Sequence, residues 1–436
     1  VAQKKKKRKK KSGIQPQKVK QAQHKNQFLK KLYHVLSLLG CGDLYHQISR
    51  EEKESFYLLH FRSIRVEAHK NQNISHRLVK FFNWFVNHYI KREINKIELY
   101  QDGPKISFYD YLNILYTFYV YDELIESERF DTIKEVRRRL REILDFKEIL
   151  GQANKILDTV LIFGALYRSN IMSAFYWFNL DVRLLDDEDQ SFIRLNLHRE
   201  PVEVRSIKFN GIYRKVYKLA FPLGNAIKKL TIDARTMKMH PENPDKVWDL
   251  YIQGHALQRL YERLDHEDSY EVQMDLLFSL RKPRVHIMDH KKRMIEYRIM
   301  DDKKVGYLVS EVVDDIVVIR TFLLLTNSHT PEGEKLKEIL NTTKTDMKYW
   351  AIDRMSTFIA SDINKNEALK SKFIEAGCGD LFDINYSSRE LMGQNIEQAD
   401  AMVKYFGLDD EEEGTMVRRH DSTKERLNDG TMAREQ

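Results

Sequence analysis

The spacing of apolar residues in this chain changes near residue 200, so no single layer architecture can accommodate the whole of it. From about Lys20 to Leu195, apolar side chains recur at three- and four-residue intervals. Phe28, Leu29, Leu32, Leu36 and Leu39 mark a first amphipathic helix ended by Gly40. Ser49-Arg50-Glu51-Glu52 has the form of a capping box opening a second. Residues 78–97, 108–126, 131–146 and 149–178 read as further helices, with Asp102-Gly103-Pro104 as a break. After Pro201 the period moves toward two. Residues 202–207 alternate, Asn210-Gly211 is a tight-turn pair, and 212–221 supply a partner strand. Strands are also expected at 227–232 and 248–252. A helix follows at 268–280, then four strand segments at 284–288, 294–300, 305–313 and 316–325, joined by short polar turns. Residues 331–340 and 346–360 return to helix.

These patterns predict an α+β multidomain protein. Residues 1–19 form a disordered basic tail and 20–198 an all-α, aromatic-rich helical domain. Residues 200–345 form an α+β domain with an antiparallel β-meander packed on two helices. C-terminal helices occupy 346–408, and 409–436 is a disordered tail.

Charge is concentrated at the start. The chain has 73 Lys and Arg against 65 Asp and Glu, and Lys4 to Lys11 is an unbroken basic run of eight. Without that run the positive and negative charges balance at 65 each. Lys4, Lys5, Lys6, Lys7 and Arg8 are therefore candidates for non-specific contact with nucleic acid. In a eukaryotic host the run would also act as a nuclear signal. The alternative is a solubilising terminus with no partner. The chain opens on Val rather than Met, as a processed product or a fragment would.

The two cysteines, Cys41 and Cys378, are too few for a disulfide framework and suit a reducing compartment. No uncharged apolar run reaches 18 residues, so a cytoplasmic protein without membrane contact is expected. Phosphate-loop, dinucleotide-glycine, nucleophile-elbow and Cys-x-x-Cys patterns are absent, and no cofactor or metal is expected. His286-x-x-Asp289-His290 has ligand types at close spacing, but it crosses a strand end and a turn. The aromatic stripes at 81–89 and 109–121 have the spacing of core helices and also the chemistry to stack bases.

Chemistry-bearing side chains gather in Gly254–Leu264. At 3.6 residues per turn, His255, Arg259, Glu262 and Arg263 share one helix face, opposite Leu257, Leu260, Tyr261 and Leu264. An imidazole, two guanidinium groups and a carboxylate can hold phosphate and move protons. They can equally be a solvated, ion-paired surface.

A strand, a His-Ala-x-x-Arg-x-x-Glu-Arg helix, a second helix and a four-strand meander, over about 245–330, resemble the RelE-like members of the barnase/colicin/RelE ribonuclease-toxin superfamily. The motif residues are His255-Ala256, Arg259 and Glu262-Arg263. The resemblance implies a small α+β domain that binds RNA or cleaves it without metal, or a descendant that kept only the fold. Cleavage needs a base for the 2′-hydroxyl, an acid for the leaving oxygen and positive charge for the phosphorane. His255, Arg259, Glu262, Arg263, Arg320 and His329 are the candidate catalytic set, and Arg298 is a candidate nucleic-acid contact. The embedded position and the many acidic residues of the region depart from an active toxin. The competing expectation is a non-catalytic scaffold with an inactive RelE-like module, whose helical half binds a protein partner.

Gly-Cys-Gly-Asp-Leu occurs twice, at 40–44 and 377–381, each copy after an amphipathic helix. The glycines suit helix C-termini, so repeated helix-ending turns are expected there.

Overall fold

The computed structural model describes residues 17–384, apart from 93, 122–129, 184–190, 224, 266–268, 300–301, 342, 344, 347–351 and 361. The fold is mixed α/β, with a helix-dominated N-terminal region followed by a β-rich one. Two compact units divide the chain. Unit 1 takes residues 1–254, 268–281 and 310–320, and unit 2 takes 255–267, 282–309 and 321–436. Candidate positions Lys4, Lys5, Lys6, Lys7 and Arg8 lie outside the described residues, as does the tail at 409–436.

Unit 1 opens with α1 (Gln17–Leu38), α2 (Gly42–Gln47), α3 (Arg50–Leu59) and α4 (His76–Tyr89). A helical run follows, Phe108–Asp110, a π-turn at Tyr111–Leu115, and Tyr116–Val120. Then come α5 (Asp131–Ile143) and α6 (Phe146–Arg168). α1 begins inside the stretch read as a tail. The capping box at Ser49 is present: Glu52 N donates to Ser49 Oγ, and Ser49 N donates to Glu52 Oε2. The other oxygen, Glu52 Oε1, accepts from Thr132 N at 2.9 Å and Ile133 N at 3.3 Å. One buried carboxylate therefore satisfies N–H groups at the start of both α3 and α5.

The expectation of an all-α domain over 20–198 is corrected. A three-stranded sheet of order β1-β5-β4 lies in this region, built from β1 (Phe61–Ala68), β4 (Ala174–Arg183) and β5 (Ser191–Pro201). A small hairpin joins β2 (Lys96–Glu98) and β3 (Lys105–Ser107). β1 runs parallel to β5, and β4 runs antiparallel to it over ten pairs. The helix expected at 149–178 stops at Arg168. Aromatic side chains beyond it, Phe175 to Phe178, stand on a pleated strand, which suits their bulk. Ile64, Val66, Phe178, Ile193, Leu195 and Leu197 share the helical core, so all three strands of this sheet contribute alternating residues to it.

α6 has the length and apolar composition of a membrane-crossing helix. Its Ile149, Ala153, Leu157, Val160, Leu161, Ala165 and Leu166 are buried in unit 1. At Gly164 an added Cβ would stand 2.9 Å from the Phe85 ring, so α4 approaches α6 closely there. The C-terminal carbonyls of α6 are met by α8 (Ser269–Arg281), whose buried Gln273 amide donates to Leu166 O and Ser169 O.

The β-rich part of unit 1 holds β6 (Val204–Phe209), β7 (Ile212–Lys218), β8 (Ala220–Leu223), β9 (Ala226–Lys229), β10 (Thr231–Asp233) and β11 (Val247–Gln253). β6 and β7 pair antiparallel around Asn210-Gly211, both at positive φ. β11 is antiparallel to β7 and β10 and parallel to the start of β15 (Ile316–Leu324). Unit 2 contains most of α7 (Gly254–Leu264), then β12 (Val285–Ile287), antiparallel to β13 (Lys292–Arg298). β14 (Lys304–Val313) follows β13 in strand order and, like β15, has residues in both units. α9 (Pro331–Ile339) starts on a Thr330 cap with Pro331 in its first turn, and α10 (Met355–Ala360) and α11 (Glu367–Glu375) follow. Of the helix expected at 346–360, residues 347–351 lie outside the described residues.

Candidate functional site

α7 buries Ala256, Leu257, Leu260 and Leu264. His255 is exposed in its first turn. Arg259 Nη1 donates to Glu262 Oε2 at 2.8 Å, and Gln258 donates to Glu262 Oε1 at 2.7 Å. Both oxygens of this candidate base are thus already accepting.

Arg263 departs from the expected display. At roughly 100° per residue it falls on the shoulder of the buried stripe, next to Ala256 rather than beside His255. Its Nη1 donates to Phe322 O at the end of β15, and its Nε is buried without a hydrogen-bond partner among the described residues. Burial pushes its pKa down, partly offset by Asp353. This guanidinium secures a strand carbonyl and is spent structurally.

The sheet candidates are also engaged. Arg298 Nε and Nη2 donate to Glu296 Oε2 at 2.8 and 2.6 Å, and its Nη1 donates to Asp302 O at 2.5 Å. Arg320 donates to Glu311 at 2.6 Å, and its guanidinium carbon lies 3.7 Å from the Phe209 ring centre. His329 is exposed at a φ of 77°, and its N–H donates to Glu334. Arg320 belongs to unit 1, while His255, Arg259, Glu262, Arg263, Arg298 and His329 belong to unit 2.

A different group of residues comes together in unit 2. A cavity of about 440 Å³ is lined by Arg298, Lys304, Lys370, Ile374, Gly377, Gly379, Asp380, Phe382 and Asp383. Lys304 Nζ stands 2.6 Å from the buried Glu332, and Tyr307 OH donates to the same oxygen at 3.0 Å. Glu332 Oε2 is buried without a hydrogen-bond partner among the described residues. Glu296 accepts from His286 Nε2 at 2.8 Å as well as from Arg298. Desolvation raises the Glu296 pKa, but the His286 and Arg298 hydrogen bonds outweigh it, so the net shift is downward. Burial, reinforced by Glu332, pushes the Cys378 thiol up to about 12. Of these residues the sequence reading named Arg298 as a contact and His286 as a weak ligand type. Lys304, Glu332 and Lys370 are separated by 28 and 38 positions, which no local pattern connects.

His286, Asp289 and His290 do not assemble a metal site. His286 turns to Glu296, and Asp289 Oδ1 accepts from Lys291 N and Lys292 N in the turn. Among the described residues no three His, Cys, Asp or Glu side chains group at metal-binding distance.

The repeated pentapeptide has one backbone solution. Gly40 and Gly377 take φ of 69° and 92°. Gly40 N donates to Ser37 O and Cys41 N to Leu36 O; Gly377 N donates to Ile374 O and Cys378 N to Phe373 O. Both are Schellman turns in which the next residue is a buried cysteine.

No family model matches the chain, and neither a curated protein nor a solved structure does.

Proposed function

We propose that this protein binds RNA and does not cut it, holding backbone phosphate at the cation-lined cavity of unit 2. The observation that carries the reading is the convergence of Arg298, Lys304 and Lys370 on that one cavity, three cations against Asp380 and Asp383 in the same lining, with Arg298 and Lys304 also paired to Glu296 and Glu332. The succession β11, α7, α8 and then β12 to β15, with β11 parallel to β15, supports a RelE-like domain. Binding is favoured over cleavage because Arg263 is tied to a backbone carbonyl and both Glu262 oxygens are engaged.

The test is fluorescence anisotropy of labelled RNA with the full chain in EDTA, with the RNA then run on a denaturing gel. Binding with intact RNA is expected. Lys370→Gln should weaken it about fivefold and lower the slope of log K against log salt by about 0.7, while His255→Ala leaves it unchanged. Cleavage by the wild-type chain that His255→Ala abolishes would overturn the non-cleaving reading, and no binding would overturn both.

A second reading, a scaffold that binds a protein through its helical half, is favoured by Trp84 on α4. It is 57% exposed and stacks on His88 at 5.2 Å. Sedimentation with a co-purified partner, lost in Trp84→Ala, would support it.

A further inference from the structure

The β6–β7 hairpin of unit 1 carries a charge pattern that the overall balance conceals. Residues 204–232 contain seven basic side chains, Arg205, Lys208, Arg214, Lys215, Lys218, Lys228 and Lys229, and no Asp or Glu. With Lys4 to Lys11 and this stretch set aside, the rest of the chain has 58 basic and 65 acidic residues, so this stretch is a second concentration of positive charge.

Two of the seven cations are neutralised. Lys218 lies 2.7 Å from Asp249 and 3.4 Å from Glu203, and Arg205 lies 3.0 Å from Glu203. Tyr251 OH donates to the same Glu203, so this network anchors the base of the hairpin. Toward the tip the situation reverses. Lys208, Arg214 and Lys215 are exposed, and none has an acidic partner among the described residues. β7 pairs with β11 only through Val216–Lys218, so the tip projects past β11.

The two faces of the ribbon differ. In the register Lys208↔Tyr213 and Ser206↔Lys215, one face displays Val204, Ser206, Lys208, Tyr213, Lys215 and Tyr217. The opposite face turns Ile207, Phe209 and Val216 into a small core with Tyr251, Ile316 and Val318. On the displayed face Tyr213 is 66% exposed, with Lys208 Nζ 5.9 Å from its ring centre. The displayed face thus sets a solvent-facing aromatic ring beside two lysines that have no acidic partner among the described residues. It fits a ligand that has both phosphates and accessible π-faces.

We propose that the β6–β7 ribbon is a docking surface for single-stranded RNA, with Lys208 and Lys215 on phosphates and Tyr213 under a base. Single strands are chosen over duplex because a duplex hides the base faces that Tyr213 would stack on. This proposal rests on the RNA-binding reading above but uses different residues, in the other unit.

The experiment measures the full chain at physiological salt with a fluorescein-labelled 12-nucleotide single strand, the matching duplex, and phosphatidylserine vesicles. Lys208→Gln with Lys215→Gln should lower the salt slope by about 1.4 for the single strand. Tyr213→Ala should weaken single-strand binding about tenfold with the salt slope unchanged, and duplex binding little. All positions are exposed, so thermal melting should match wild type. RNA bound by wild type and equally by these variants would overturn the ribbon proposal and leave the unit 2 reading standing. No RNA binding by wild type would remove both. Equal losses on duplex and single strand for Tyr213→Ala, or losses confined to vesicles, would overturn the assignment to single-stranded RNA.

Discussion

Arg263 shows how far one side chain can be followed from sequence alone. The leucine stripe of α7 was legible and is where the helical period puts it, but Arg263 was expected on the displayed face with His255, whereas it falls on the flank of that stripe. Its use was not legible, because its acceptor, Phe322 O, lies on a strand 59 positions away. Arg263→Ala is expected to lower stability in urea by about 2 kcal/mol, since a hydrogen bond to a charged donor is lost and a carbonyl is left unmet. RNA affinity should stay within about twofold. A large loss of affinity at unchanged stability would instead return Arg263 to the binding surface. Arg298 contrasts with it. Although paired with Glu296, it keeps one side on the cavity, so position on the sheet and pairing do not by themselves decide a role.

At the scale of elements, Glu52 joins what sequence shows to what it does not. The capping box on α3 was readable, whereas the second task, meeting Thr132 N and Ile133 N at the head of α5, depends on helices 80 residues apart. Desolvation works to raise the Glu52 pKa, but four hydrogen-bond contributions, from Ser49, Ile133 and Thr132, hold it below its ordinary value. A carboxylate depressed by folding contributes stability that is complete above its ordinary pKa and is lost as pH falls through the folded value. The midpoint of unfolding should therefore fall below about pH 4.5 more steeply in the wild type than in Glu52→Gln. At neutral pH that variant should be less stable by about 1–2 kcal/mol. Parallel pH profiles would refute the assignment. The edge of β1 has a similar history. The amides of Asn83 and Asn87 on α4 hydrogen-bond to the backbone of Val66 and Ile64, so side chains one helical turn apart cover a strand edge that would otherwise be open to another chain. The asparagines were visible as helix residues, but the strand beside them was not foreseen, because eight residues between two helices carry too little alternation to stand out.

At the scale of the whole molecule, the change of period near residue 200 is reflected in a helix-dominated region followed by a β-rich one, while the compact units cut across that boundary. Strands β14 and β15 pass between units, and a period read along the chain has no means of showing where contacts cluster in space. The paired Schellman turns have a practical consequence at this scale. Each unit holds one cysteine, Cys41 or Cys378, sealed beneath the same kind of turn and raised in pKa chiefly by burial. A thiolate reagent should therefore reach neither in the native fold and should react only after local opening. Mass-resolved alkylation in mild denaturant then times the two units separately. Equal rates would mean that they come apart as one cooperative body, and unequal rates would name the unit that opens first. The chain thus carries its own pair of unfolding clocks, one to each half, with no label to engineer.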